Sequence, residues 1–554
     1  MITQLRDRVT TQKWLVRTLV RSGFLGSLRV DRYIRMGLNL RRHGGPSPVS
    51  GIGLAAARDP HGLALVDEAG QLTWAELDAR CDALAVGLAD LPGERVGTVA
   101  ILCRNHRGLV EALCATSRLG ADAVLLNTGF AGPQLADVLE REQADVLIAD
   151  DEFDAVIHPA AQRLPGMRRL QAWTEGASAS GETIEALIAA NKGSRPRRPE
   201  RAGRIVLLTS GTTGTPKGAR RGGSTDIASL AAMLDRIPWR AGQSTVIAAP
   251  IFHAWGFGQV AIAATMTCTM VMRRRFDPEA TLRLVRDHEA TGLAVVPVML
   301  ERIMDLPDEV LDAHPTPSLR FVTASGSRMR TDALVAFLDR FGDVVYNSYN
   351  ATEAGLISTA TPGDLRVAPE TAGRPLTGTS VRILDDDDRP LPVGEIGRIV
   401  VANNSGFDGY TSSDTKAFSD GHMVSGDVGR FDENGLLFVV GRDDEMIVSG
   451  GENVYPLEVE QVIGSLDGVA EVAVVGADDE KFGQRLIAYV VRARRGPAGS
   501  SQIQADQIRQ HVRDQLAGFK VPREIHFLTE LPRNATGKIL KRELRPADDQ
   551  RKVG

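Results

Sequence analysis

Cysteine is scarce in this 554-residue chain. Its four residues, Cys81, Cys103, Cys114 and Cys268, form no C-x-x-C pair, and the ten histidines read as not clustering with them. This pattern argues against a zinc site and a disulfide framework, and it fits a reducing cytoplasm. A basic excess is also missing: the net charge of −5 gives no general reason to expect nucleic-acid binding. The start, MITQLRDRVTTQKWLVRTLV, lacks the apolar core and cleavage site of a secretory signal, so an intracellular protein is expected. One stretch, Ala241 to Met272, carries no Asp, Glu, Lys or Arg and is long enough to span a bilayer. Pro250, His253, Gln259 and several Gly and Thr interrupt it, so it reads as a strand, a loop and a helix buried in a large core. The length exceeds what a single core accommodates, and two or more domains are expected.

Residues 1–43 depart from the overall balance. They hold ten Lys and Arg against two Asp, interleaved with Trp14, Leu15, Leu19, Phe24, Leu25, Leu28, Tyr33 and Ile34. The mix suits an interfacial helix with peripheral membrane contact. An amphipathic helix packed on its own domain has the same pattern, and Gly23, Gly26 and Gly37 weaken any long helix.

Further along, short Val/Ile/Leu/Ala runs alternate with helical patterns: VGTVAILC, ADAVLLN, ADVLIAD, RIVLLTS, STVIAAP, GLAVVPVM and RFVTASGS. Such alternation predicts an α/β fold with parallel sheets, here two doubly wound α/β subdomains. After about residue 370 closely spaced strands and turns indicate a small β-rich subdomain, and the chain beyond GRDDEM reads as a small α+β domain. The expected division is a basic segment 1–43, a large domain 44–443 and a small mobile domain 444–554. GSRPRRPERAG reads as an exposed connection, and GPAGSSQ as a loop.

The apolar run Arg204 to Leu208 empties into TSGTTGTPKG, Thr209 to Gly218. Glycines that let the backbone approach, hydroxyl and N–H donors, and the mobile cation of Lys217 suit a bound phosphate. A Walker loop is excluded, because Pro216 stands where its last glycine belongs and Gly218 where its Ser or Thr belongs. Downstream lies YNSYNATEAG, where Tyr349 can lie against a purine, Thr352 can bond a phosphate and Glu353 is a hard oxygen ligand suited to Mg²⁺. Asp427 in SGD offers a carboxylate to a ribose diol, Arg442 a cation to the same sugar, and Lys538 sits on a Thr-Gly turn in LPRNATGKILKREL. Taken singly, each reads as readily as a helix cap, a surface ion pair or a solvated lysine.

In this order and spacing the motifs resemble the adenylate-forming superfamily of acyl-CoA synthetases, peptide-synthetase adenylation domains and firefly luciferase. The resemblance covers about residues 50–545 and rests on TSGTTGTPKG, TEAG, SGD, GRDDEMIVSGGENVYP and PRNATGKI. It implies a two-step ligase: a carboxylate attacks the α-phosphorus of Mg·ATP to give an acyl adenylate and pyrophosphate, then a thiol, usually of coenzyme A, displaces AMP. Two anions must meet, so the chemistry depends on donors and cations aimed at the developing phosphorane. On matching positions Thr209, Ser210, Gly211, Thr212, Thr213, Gly214 and Lys217 would cradle the phosphates. Ser325 and Asn347 would bind the nucleotide, Tyr349 would stack on adenine, and Thr352 and Glu353 would serve the α-phosphate and Mg²⁺. Asp427 and Arg442 would bind the ribose, and Lys538 would bridge carboxylate and α-phosphate. The resemblance puts a hinge at Asp444, with Gly450 and Gly451 lining a tunnel for coenzyme A. Two departures stand out: Asn350 where the family usually has Gly after the Tyr, and ASGSRM, Ala324 to Met329, in place of a Gly-Gly-Ala-Pro-type string.

PIFHAWGFGQ matches the segment bordering the acyl pocket, with His253, Trp255 and Gly256 facing or gating it. Its apolar character, the absence of an acid for an α-ammonium and the basic N-terminal arm favour a medium- or long-chain fatty acid over an amino acid. The insertion that marks fatty acyl-AMP ligases is absent, which favours coenzyme A over a carrier protein as acceptor. A relative that only binds nucleotide or lipid is the other alternative. Chain length and the choice between monomer and homodimer are not legible in the sequence.

Overall fold

The computed structural model describes residues 2–26, 30–93, 95–176, 181–209, 217–221, 227–403, 407–411, 416–449, 452–479, 483–493, 503–534 and 537–544. The chain divides into two compact units, residues 1–379 with 403–416, and 380–402 with 417–554.

Two mixed sheets form the first unit. One has seven strands, its parallel core built from Thr98–Leu102, Asp122–Leu125, Val146–Asp150, Arg168–Trp173 and Ile205–Thr209. The other has nine, with Leu63–Asp67, Ser244–Ile247, Thr269–Met272, Gly292–Val295, Phe321–Ser325 and Val345–Ala351 running parallel. Each of the seven quoted apolar runs contains one of these strands, and Ala241 to Met272 folds as strand, loop, helix Ala254–Thr265 and strand. Among the described residues no helix is long and apolar enough to cross a membrane.

Strand periodicity sorts the core into layers. Leu65, Ile247, Met270 and Met272 join one apolar cluster with Val99, Ile101, Ala123 and Leu125 of the other sheet. Their strand neighbours Val66, Val246 and Val271 join a second cluster, and Ala100, Leu102 and Val124 a third. Successive strand residues point to opposite faces, so one sheet face meets the shared core and the other its own helices.

The N-terminal arm folds as helix α1 (Ile2–Arg21) and helix α2 (Val30–Arg42), followed by α3 (Gly51–Arg58). Trp14, Leu15, Phe24 and Leu25 pack against the shared core, which includes buried Leu19, and Trp14 Nε1 donates to Asp235 at 3.2 Å. Part of the arm is therefore a helix packed on its own domain. Gly23, in the left-handed region, follows the end of α1, while α2 runs through Gly37.

The second unit holds two five-stranded sheets, one within residues 380–442 and one within 447–528. In the latter Val469–Asp479 and Gly483–Arg492 pair antiparallel, with Glu524–Leu528 added in parallel. The GPAGSSQ loop lies outside the described residues.

Folding corrects the reading of cysteine and histidine as separate. Cys103, His106 and Asp150 lie together, fully buried. His106 Nε2 meets Asp150 at 2.8 Å while its Nδ1 accepts the Gly108 N–H, and Asp150 also accepts the Arg104 N–H. Cys103 Sγ faces the Ile148 carbonyl oxygen at 3.7 Å. The cluster is a hydrogen-bonded part of the core.

Candidate active site

Because the strands Ser244–Ile247, Phe321–Ser325 and Val345–Ala351 are parallel, they deliver His253, Ser325 and the Tyr349–Glu353 segment to one edge of their sheet. Carboxyl ends of strands in such sheets are where ligands bind. Val345–Ala351 continues through Thr352, Glu353 and Ala354 into the antiparallel strand Gly355–Ala360, and a register shift falls between Tyr349 and Asn350. Asn347 sits opposite Ala324, and Ser348 opposite Ser325.

The two departures from the family pattern meet here. Ser325, 1% exposed, donates its hydroxyl to Asn350 Oδ1 at 2.7 Å. A serine of the segment that replaces the Gly-Gly-Ala-Pro-type string and an asparagine in place of glycine thus form one cross-strand pair.

Thr209 stands opposite Lys217 on antiparallel strands, so the chain continues past Lys217 as a strand rather than a helix, in keeping with the exclusion of a Walker loop. Ser210, Gly211, Thr212, Thr213 and Gly214 lie outside the described residues, as does the side chain of Thr209. The strand Phe407–Tyr410 pairs with Lys217–Arg221 and carries Tyr410 alongside it. Lys217 Nζ lies over the Tyr410 ring, 6.0 Å from its centre, and the Tyr410 hydroxyl donates to Glu353 Oε1. Lys416 Nζ stands 3.8 Å from the same oxygen. Glu353 is 8% exposed; the Tyr410 phenol and Lys416 meet on it, while Lys217 stands over the phenol ring.

His253 caps the helix Ala254–Thr265, its Nδ1 accepting the Trp255 N–H at 3.4 Å. The Trp255 indole is buried and donates to the Val295 carbonyl at 2.9 Å. At Gly256 a Cβ would lie 2.2 Å from the Pro250 carbonyl oxygen, so only glycine lets the loop and helix approach this closely. Asn105, 6% exposed, follows the strand Thr98–Leu102 and ties this loop to the other sheet. Its amide donates to the Ala249 carbonyl and accepts the Ile251 N–H.

In the second unit Asp427 and Arg442 face each other on adjacent antiparallel strands. Arg442 Nη1 lies 3.4 Å from Asp427 Oδ1, and its Nε donates to Asp444 Oδ1 at 3.1 Å. Burial alone would lower the Arg442 pKa, but the Asp444 bond and the Asp427 charge raise it overall. Gly426 has φ +87°, a backbone position that residues with side chains rarely adopt, and approaches the Arg442 guanidinium. The residue expected as a hinge is therefore the salt-bridge partner of the residue expected on the ribose.

Lys538 is exposed on a tight turn in which Asn534 accepts its N–H and donates to its carbonyl, both at 2.9 Å. Lys541 is paired with Glu445 at 3.2 Å, beside Asp444, and with Glu460 at 2.9 Å. These carboxylates raise its pKa against the effect of burial. Gly450 and Gly451 lie outside the described residues.

Tyr410, Lys416 and Asn105 were not legible as site residues. Each acts through strand pairing or a loop contact far along the chain, and no local pattern announces it.

Comparison with known proteins decides the family. The AMP-binding enzyme family matches residues 54–411, and the AMP-binding enzyme C-terminal domain matches residues 458–538. The chain belongs to the AMP-binding enzyme family. This AMP-binding enzyme is similar to a feruloyl-CoA synthase from Amycolatopsis, at 34% identity over 88% of this chain and 96% of that one. It is similar to the indoleacetate–CoA ligase of Aromatoleum aromaticum, at 31% over 86% and 92%. The fatty acid–[acyl-carrier-protein] ligase ScoC of Streptomyces coeruleorubidus is 30% identical over 90% and 96%. Among solved structures, the amide bond synthetase McbA from Marinactinospora thermotolerans superposes with a TM-score of 0.79 at 26% identity, covering 90% of this chain and 99% of that one. The Bacillus subtilis o-succinylbenzoate CoA synthetase bound to its acyl-adenylate gives 0.76 at 27%, covering 90% and 98%. The α/β architecture and the resemblance read from the motifs both stand.

Proposed function

We propose that this AMP-binding enzyme is an acid–CoA ligase that forms an acyl adenylate from ATP and a carboxylic acid and passes the acyl group to coenzyme A. The observation that carries the reading is the meeting of Tyr410 and Lys416 on the buried Glu353, with Lys217 over the Tyr410 ring, beside a family match that extends through Lys538. Lys217, opposite Thr209, supplies a phosphate cation. Glu353 is a hard oxygen donor of the kind Mg²⁺ takes, so it fits the ion arriving with ATP. When bound, that ion would neutralise phosphate charge. Thr352 would donate to the α-phosphate, Tyr349 would stack on the base, and Asp427 with Arg442 would take the ribose diol. Lys538, exposed on a fixed turn, would supply the cation at the α-phosphate in the first step, and Asp444 would be the pivot between steps.

For the acid, a medium- or long-chain fatty acid is the first reading. The segment from Ala241 to Met272 is free of charge, and the Trp255 indole N–H is bonded to Val295 rather than offered to a polar acyl group. An aromatic acid is the second reading, because the named substrates of several relatives are aromatic. Gln259 lies one helical turn beyond Trp255 on the same face, with a buried Oε1 that has no hydrogen-bond partner among the described residues. That oxygen could accept a phenol. A panel of fatty, aryl and amino acids scored by pyrophosphate release, with acyl-CoA detected by mass, tests the whole reading. Release without thioester would assign a carrier protein as acceptor, and no acid-dependent release would leave nucleotide binding alone.

A further inference from the structure

The arm and the body of the protein carry opposite charge. The whole chain is −5 and residues 1–43 are +8, which leaves −13 on residues 44–554. The exposed apolar side chains are concentrated in the same place. Of the thirteen large ones among the described residues, six lie between Val16 and Leu38.

Among the described side chains, both helices are fixed to the domain by one face. In α2, Arg32, Met36 and Asn39 lie on the shielded side, and Asn39 Oδ1 occupies the space a Cβ at Gly53 would need. Its end is held where Arg42 pairs with Asp82 and His43 Nε2 lies 3.3 Å from the same carboxylate. The opposite face presents Val30, Ile34 and Leu38, spaced four apart and 66%, 58% and 62% exposed, with Tyr33 beside them. Arg35, paired with Asp31 at 3.0 Å, and Arg41 flank this stripe and are exposed. In α1, Trp14, Leu15 and Leu19 face the core, whereas Val16 and Val20 are exposed next to Lys13 and Arg17. An outer surface that joins aliphatic side chains to arginine and lysine has the chemistry of a headgroup–acyl boundary with anionic lipid.

We propose that the outer face of α2, with the exposed face of α1, is a reversible docking surface for an anionic phospholipid bilayer. The acidic body is repelled by such a surface while the arm is attracted, so the charge distribution presents the arm first. The same charge disfavours a second copy as occupant, because it would set one +8 arm against another. The aliphatic stripe is short, so binding depends on both terms together and is lost in high salt.

The test uses the full-length protein floated with vesicles of phosphatidylcholine alone or of phosphatidylcholine with phosphatidylglycerol. The wild type is expected to float with the anionic vesicles at low salt, and not with neutral vesicles or at high salt. Ile34→Ser with Leu38→Ser, and separately Arg35→Gln with Arg41→Gln, should each lower the vesicle-bound fraction about tenfold. Both pairs lie on the solvent side, so the thermal midpoint should hold. Val393→Ser with Ile396→Ser, exposed apolar residues of the second unit, should float like the wild type. Failure of the wild type to float, or equal flotation of all variants, overturns the proposal. A concentration-dependent dimer abolished by the Ile34→Ser and Leu38→Ser pair also overturns it, and gives the face to a second copy.

Discussion

Replacing Tyr410 by phenylalanine tests whether the phenol holds the Glu353 carboxylate for work on ATP. The ring under Lys217 is kept and only the hydroxyl that donates to Glu353 Oε1 is lost. A hydrogen bond to a charged group is worth about 1.5–3 kcal/mol. Lys416 remains 3.8 Å from the same oxygen, and the carboxylate side chain is 10% exposed, so water and the lysine recover part of the loss. The lower part of the range, about 1.5–2 kcal/mol, corresponds to about a 10- to 30-fold fall in kcat/KM for ATP. The fall should be largest at limiting Mg²⁺, because a carboxylate left to rotate is a poorer oxygen ligand. Pyrophosphate release measured across a Mg²⁺ series reads this directly, and thioester formation from preformed acyl-AMP is the internal control. If adenylation at limiting Mg²⁺ stays within about twofold of the wild type, the phenol does not position Glu353. If both half-reactions fall together with the thermal midpoint, the bond is structural and the reasoning fails equally.

The Ser325–Asn350 pair should behave as a unit: Ser325→Ala and Asn350→Gly, made singly and together, should show a coupling of about 0.5–1.5 kcal/mol in stability or ATP binding, and strict additivity would dissolve the pair. Lys538→Ala should lower the first half-reaction by on the order of 10² to 10³ and leave thioester formation from preformed acyl-AMP near wild type, whereas equal losses in both would remove the lysine from the first step. Asp444→Pro should spare pyrophosphate release and depress thioester formation; since it also removes the carboxylate on Arg442, Asp444→Asn is the necessary control, and a matching defect in that variant would assign the effect to the ion pair. Asp82 is 5% exposed; burial alone would raise its pKa, but His43 and the Arg118 and Arg42 guanidinia hold it down at about 2, against an ordinary 3.8. A depressed folded value stabilises the protein above pH 3.8 and is lost as pH falls towards 2, so Asp82→Asn should cost about 2–3 kcal/mol near neutrality and flatten acid unfolding in that window.

Local patterns in the chain were enough for the parallel sheets, since an apolar run such as RIVLLTS buries both faces of a strand wherever the sheet stands. They were enough for the exclusion of a Walker loop, because Pro216 and Gly218 cannot supply a helix start and a metal-binding hydroxyl. The family followed from five ordered motifs, whose residues are near neighbours within each motif. What the tertiary structure decided depends on register and on contacts between distant segments. Tyr410 reaches Glu353 only because Phe407–Tyr410 adds to the edge of the Lys217–Arg221 strand, and a one-residue slip would turn the phenol to the other face. Asn350 and Ser325, each odd in its own motif, meet because the strands Phe321–Ser325 and Val345–Ala351 run parallel and side by side. Cys103, His106 and Asp150 come together because the strands before them pair, and the N-terminal arm divides into a packed and an open face because the core receives only one side of each helix. Sequence carries the period of an element and the chemistry of its side chains; which side chains from distant elements share a carboxylate is set by packing, which no local pattern encodes.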